Sequence, residues 1–400
     1  MADRPGSGQA IADWNRTLIT IQGTPNAQPA SVHPTRGFAM VQAAEYNAVV
    51  SITHVGRPYH SAVPAAADAR PDAAADQAAH DVLLGLYPSM RDTLDRQLAT
   101  QLAALPAGAP TQDGVAVGSA AARAILADRG NDGSAAPAAR FVAGTASGAY
   151  RPTPPKFGPP SFTNWGSVRP FVLQSADQFR PAPPPPVNAA AYTAALTEVK
   201  NLGQKTSAIR TPDQTVAGKF WSAAPIWNIW NQLADKLIDD QHASVAQATS
   251  VLATMDLALA DTTIALYDTK YRESVWRPVT AIELGVPAAS PPVPADPTWM
   301  PLTPTATDPS YPGAHSALSS AATAVLAAFY GPGQAVTITT SAAPGISRSF
   351  PSLADAAEEA GLSRIWAGQH TRLDHEAGKQ LGRQVATQVL TALPAPLNVR

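Results

Sequence analysis

Four hundred residues without a cysteine, 45% apolar and 14% charged, describe a globular chain able to bury a large core. The missing thiols exclude a cysteine nucleophile, a disulfide framework and zinc-thiolate or iron–sulfur chemistry. A formal charge of −2 gives nucleic acid or an anionic membrane no global attraction, so any anion must be held by a local cluster of cations.

The N-terminus, MADRPGSGQAIADWNRTL, lacks a basic start followed by an apolar run. No signal peptide is expected, and the chain reads as soluble, either cytoplasmic or secreted with a leader removed. Arg36 to Ile52 and Pro71 to Tyr87 carry Leu, Val and Met at helical spacing among alanines. Between them His54 and His60 flank Gly56-Arg57-Pro58 with no carboxylate at ligand spacing, which predicts loop histidines and not a metal site. Gly114 to Arg129 reads as a further helix closed by Gly130-Asn131-Asp132-Gly133. Residues 1–150 are thus expected to be a helical scaffold. Over residues 151–188 the prolines forbid regular helix, yet Phe157, Phe162, Trp165, Phe171 and Phe179 lie among them. A free linker has little use for those rings, so a strap packed across the helices is expected.

Helices resume at Ala189, and residues 189–400 are expected to form a second bundle. Trp221, Trp227 and Trp230 are assigned to core packing, with one of them lining a pocket as the alternative. From Ser244 to Asp268 the apolar residues Val245, Ala248, Leu252, Met255, Leu259 and Leu266 share one face. Asp256 and Asp261 interrupt that helix, either pairing with a site arginine or staying partly exposed. Ala321 to Tyr330 is about half the roughly 20 residues of a membrane span. Alternating β-branched residues are confined to Ala335–Thr340, so the fold class is all-α, two helical bundles in a single large domain. Large amphipathic faces are compatible with a homodimer.

Chemistry concentrates in the second half. Lys270 and Arg277, seven apart, are expected on one side of a helix that Pro278 interrupts. Tyr311-Pro312-Gly313-Ala314-His315 precedes a run of small residues that reads as a helix started by Pro312. Unpaired N–H groups at Gly313 and Ala314 would then favour an anion beside His315. Ser363-Arg364 is followed by His370 and, four residues on, Asp374, which would orient the imidazole if one helix carries both; His375 reads as a helix-surface residue. Three cations, two imidazoles and a helix N-terminus suit a tetrahedral oxyanion of two or three negative charges.

K-x6-R-P, a P-S-G-H-like turn and S-R-x5-H with a trailing Asp, in this order, resemble the signature shared by vanadium haloperoxidases and type 2 phosphatidic acid phosphatases. The wording of Ser207–Trp221, Asp261–Ile282 and Ser363–Gly378 is similar to the bacterial haloperoxidase branch. The resemblance implies a helical fold like vanadium chloroperoxidase and acid phosphatase, with vanadate as the cofactor. It implies that His370 ligates vanadium, that Lys270, Arg277, Gly313, Ala314 and Arg364 surround the vanadate oxygens, and that His315 and Lys270 are catalytic. Hydrogen peroxide, a halide and a small organic acceptor would be the substrates, giving chloro- or bromoperoxidase activity.

Gly313-Ala314 departs from the usual Ser-Gly. The lost hydroxyl costs on the order of 1.5–3 kcal/mol of oxyanion binding if nothing replaces it, and Ala314 must avoid positive φ. A soluble acid phosphatase is the nearest rival, with His370 as nucleophile and His315 protonating the leaving alcohol. A catalytically silent paralogue serving as a binding scaffold is the third reading.

Overall fold

Helix follows apolar spacing through most of residues 7–393, the part of the chain that the computed structural model describes. In the first half lie α1 (Gln9–Gly23), α2 (Thr35–Thr53), α3 (Pro71–Leu86), α4 (Arg91–Ala103) and α5 (Ala109–Arg129). After the proline-rich stretch come α6 (Ala190–Gly203), α7 (Pro212–Phe220), α8 (Ile226–Asp240), α9 (Val245–Glu273) and α10 (Pro278–Leu284). The chain then forms α11 (Ala314–Tyr330), a hairpin of β1 (Val336–Thr339) and β2 (Ser347–Phe350), α12 (Leu353–Trp366) and α13 (Arg372–Ala392). The hairpin pairs Val336 with Phe350 and is the one sheet among the described residues, so the molecule is all-α in class.

The axis of the fold is α9. The sequence places its apolar residues on one face, but the helix is buried around nearly its whole circumference from Val245 to Lys270. A helix apolar on all sides is a core helix. It packs against α1, α2 and α3 from the first part of the chain and against α8, α11 and α13 from the second. By length and composition it could cross a membrane, but its apolar window is entirely enclosed by the protein itself. One hydrophobic cluster runs from Ile11 to Leu393 through both sets of helices, and a smaller one gathers around Trp276 and Trp299 under α6 and α10.

Asp256 and Asp261 on α9 depart from expectation. They are fully buried, and neither meets an arginine of the site. Asp256 accepts from Asn231 Nδ2 at 2.9 Å. Asp261 accepts the backbone N–H groups of Phe171, Val172 and Leu173 at 2.6, 2.7 and 2.8 Å. The proline-rich stretch is therefore fastened to the central helix by a carboxylate, and Arg180 adds an ion pair to Asp268 at 2.6 Å. Phe162 and Trp165 pack beside Tyr267 and His33, whereas Phe157 is exposed.

Candidate active site

Lys270 and Arg277 do converge, but on different elements from the single helix expected. α9 ends at Glu273 with Ser274 in the left-handed region, and Arg277 caps the start of α10. Both side chains are buried, Lys270 completely. Lys270 Nζ donates to the Pro309 carbonyl and, at 3.2 Å, to the Ser310 carbonyl. Arg277 donates from Nε to the Asp308 carbonyl at 2.7 Å and from Nη1 to the Gln369 carbonyl at 3.0 Å. Asp308, which the motif reading does not include, places one carboxylate oxygen 3.3 Å from Lys270 Nζ and the other on Arg277 Nη2. Burial lowers Lys270 to about 8 against the pull of Asp308. Burial alone would raise Asp308, but Lys270 and Arg277 outweigh it and hold the carboxyl at about 2.

Arg364 and His370 arrive at the same pocket from the end of α12. The helix stops at Trp366, and Gly368 turns the chain at φ +80°, a conformation open to glycine. His370 therefore lies in a loop, and Asp374 reaches it as the third residue of a new helix capped by Thr371, not by continuation of one helix. Asp374 Oδ2 stands 3.4 Å from His370 Nδ1 and accepts from Ser310 Oγ and the Thr371 N–H, each at 2.7 Å. An Nδ1–H facing a carboxylate leaves Nε2 as the nitrogen with a free electron pair. That Nε2 is 3.2 Å from Arg277 Nη1. Burial and then Arg277 push His370 down to about 3, keeping it neutral. Arg364 bonds the Ser222 hydroxyl through Nη1, while its buried Nε has no partner; burial and Arg277 lower it to about 9.

The third side of the pocket is the N-terminus of α11. Pro312 stands ahead of the cap and Gly313 is the N-cap residue. The Gly313 N–H, expected to be unpaired, donates to the Asp374 carbonyl at 2.8 Å. A Cβ built on Gly313 would lie 3.1 Å from that carbonyl oxygen, so the close approach of α13 gives glycine a reason here. Ala314, the first helical residue, avoids positive φ, and its N–H has no intrahelical acceptor. His315 Nε2 is 2.9 Å from the Trp221 carbonyl, which can only accept, so Nε2 carries the proton and Nδ1 is left as the base. Burial and the Arg364 charge depress its pKa well below the ordinary histidine value. Ala314 and His315 are the partly exposed members of the set.

The sequence-predicted residues Lys270, Arg277, Gly313, Ala314, His315, Arg364 and His370 thus line one region. An oxyanion fits the unused donors, the unpartnered Arg364 Nε and the Ala314 N–H, beside His370 Nε2, whose electron pair faces Arg277 Nη1 in this structure. Sequence reasoning missed Asp308, Ser310, Ser222 and the Trp221 carbonyl. The only sequence signal for Asp308 is a lone acid just before Pro309, and a main-chain carbonyl gives no signal at all. His375 is not a surface residue: it is buried between Ser316 Oγ at 2.9 Å and Glu358 at 3.3 Å. Trp221 and Trp230 stack in the core, and His54 and His60 lie in exposed chain.

The family model for the VCPO second helical-bundle domain matches residues 250–398, the part of the chain that carries Lys270, Arg277, His315, Arg364 and His370. A crystal structure of a bacterial vanadium-dependent iodoperoxidase aligns with 100% of this chain and 99% of its own, at a TM-score of 0.86 and 25% identity. A holo-type bacterial vanadium-dependent chloroperoxidase aligns over 97% and 98% at a TM-score of 0.74 and 18% identity, a likeness of fold. No curated protein matches the chain. The bundle match over residues 250–398 and the end-to-end likeness agree with the geometry of the pocket: the chain is similar in fold and in its second bundle to the bacterial vanadium-dependent haloperoxidases.

Proposed function

We propose that the protein is a vanadate-dependent haloperoxidase that oxidises halide with hydrogen peroxide and delivers a hypohalous acid equivalent to a small organic acceptor. The observation that carries this reading is the grouping of Lys270, Arg277 and Arg364 around a neutral His370 whose Nδ1 faces Asp374. His370 Nε2 would hold vanadium, and the three cations with the Ala314 N–H would hold its oxygens. Bound vanadate would supply Lewis-acid activation of peroxide toward halide. His315 Nδ1 takes the proton released as peroxide enters, because the Trp221 carbonyl fixes the proton on Nε2. Lys270, lowered to about 8, keeps enough acidity to polarise a bound oxygen. The proposed halides are chloride and bromide.

The test is halogenation of a phenol by purified protein with hydrogen peroxide and chloride, bromide or iodide, with and without orthovanadate. The expected result is vanadate-dependent turnover that His370→Ala and His315→Ala each reduce at least about a hundredfold. Hydrolysis of p-nitrophenyl phosphate without halogenation would move the assignment to a phosphatase, for which no separate observation speaks.

A further inference from the structure

We propose that Asp308 is an internal competitor for the oxyanion: its carboxylate occupies donors of Lys270 and Arg277 that a bound tetrahedral anion needs, and so sets the affinity of the pocket. The inference rests on the oxyanion site proposed above and not on its redox chemistry. An ammonium group has three N–H donors, and those of Lys270 face the Pro309 carbonyl, the Ser310 carbonyl and Asp308 Oδ2. A guanidinium has five. Those of Arg277 meet the Asp308 carbonyl, the Asp308 carboxylate, the Gln369 carbonyl and His370 Nε2, leaving one on Nη2. Two of the three cations are therefore almost saturated by protein oxygens and nitrogen. Arg364 differs, with a buried Nε that has no partner.

An oxyanion can take a full share of donors from Lys270 and Arg277 only by displacing the Asp308 side chain or sharing with it. Sharing sets two anions close together in a buried pocket, where their repulsion is screened far less than in water. Asp308 cannot leave as a whole, because its own carbonyl accepts from Arg277 Nε and the residue is buried. The alternative role is a buttress that only aims the two cations. The roles differ in sign: losing a buttress weakens oxyanion binding, and losing a competitor strengthens it.

The experiment is equilibrium dialysis of orthovanadate, and separately of inorganic phosphate, against wild type, Asp308→Asn and Asp308→Glu. Expected is a Kd lowered about tenfold or more in D308N for both ions, with D308E near wild type because its charge is kept. Unchanged or weaker binding in D308N overturns the proposal, as does D308E binding as tightly as D308N. If wild type binds neither ion, gain of binding in D308N still supports the proposal and continued silence overturns it. Should D308N lose its helical circular dichroism, Asp308→Ser, which also removes the charge, is read in the same way. Failure of the haloperoxidase reading shows separately, as oxyanion binding by wild type without halide oxidation.

Discussion

In each imidazole of the pocket an acceptor fixes the ring proton on one nitrogen and so leaves the electron pair on the other. For His370 the partner is Asp374, whose single carboxylate also holds Ser310 Oγ and caps α13 through Thr371. Asp374→Asn keeps an oxygen for the cap but replaces the negative acceptor at Nδ1. It is therefore expected to lower orthovanadate affinity about 10–100-fold while leaving most of the melting temperature intact. A vanadate titration alongside thermal denaturation checks this, and undiminished affinity in a folded variant would refute the orienting role. Gly313 belongs to this scale too. The departure from Ser-Gly reads in the sequence as a loss of binding, but the carbonyl of Asp374 packed against it leaves a side chain little room. The identities of the cations and imidazoles were legible because their chemistry resides in the side chain. Asp308 was not, since one aspartate in a proline-rich loop has no periodicity or motif to mark it.

Where elements end determines what those residues can do. The seven-residue spacing of Lys270 and Arg277 suggests two turns of one helix, yet α9 stops at Glu273 and the arginine opens α10. His370 and Asp374, four apart, likewise meet across a helix start and not along a helix. In both cases the spacing pointed to the right neighbours through the wrong geometry, because a loop between two capped helices can also bring residues a few positions apart together. The proline-rich stretch is fastened by contacts that its own sequence does not contain, among them three backbone N–H groups on Asp261 of α9. Asp261→Ala would leave three backbone N–H groups without their acceptor, costing about 3 kcal/mol or more. The expected outcome is a lower melting temperature and faster proteolysis within residues 151–188; an unaltered cleavage pattern would show that the strap is held by other contacts.

Across the whole molecule, the unusual feature is acid in the core. Glu45, Asp76, Asp235 and Asp256 are all buried, and burial raises each of them, Asp76 to about 7 and Asp256 to about 8. A carboxyl raised in the folded state holds a proton that the unfolded chain has already released. Its contribution is favourable below the unfolded value near 4 and is lost as pH rises toward the folded value. For Asp256 that window runs from about 4 to about 8, at up to about 1.4 kcal/mol per pH unit. Asp256→Asn removes the titration while retaining an oxygen for Asn231, so its melting temperature relative to wild type should climb between pH 5 and pH 8 and then level off. A difference independent of pH would show that Asp256 does not carry the proton.

Sequence by itself determined the helical class, the positions of α2, α3, α5, α9 and α11 and the cations and histidines of the pocket. These follow from local periodicity and from side-chain chemistry that any context preserves. Tertiary structure alone decided that α9 is enclosed on every side, that Asp256 and Asp261 point into the core and that Asp308 sits on Lys270 and Arg277. It also decided which nitrogen of His315 and His370 carries the electron pair. Each of these is set by what packs against a residue from a distant part of the chain, which neither spacing nor composition encodes.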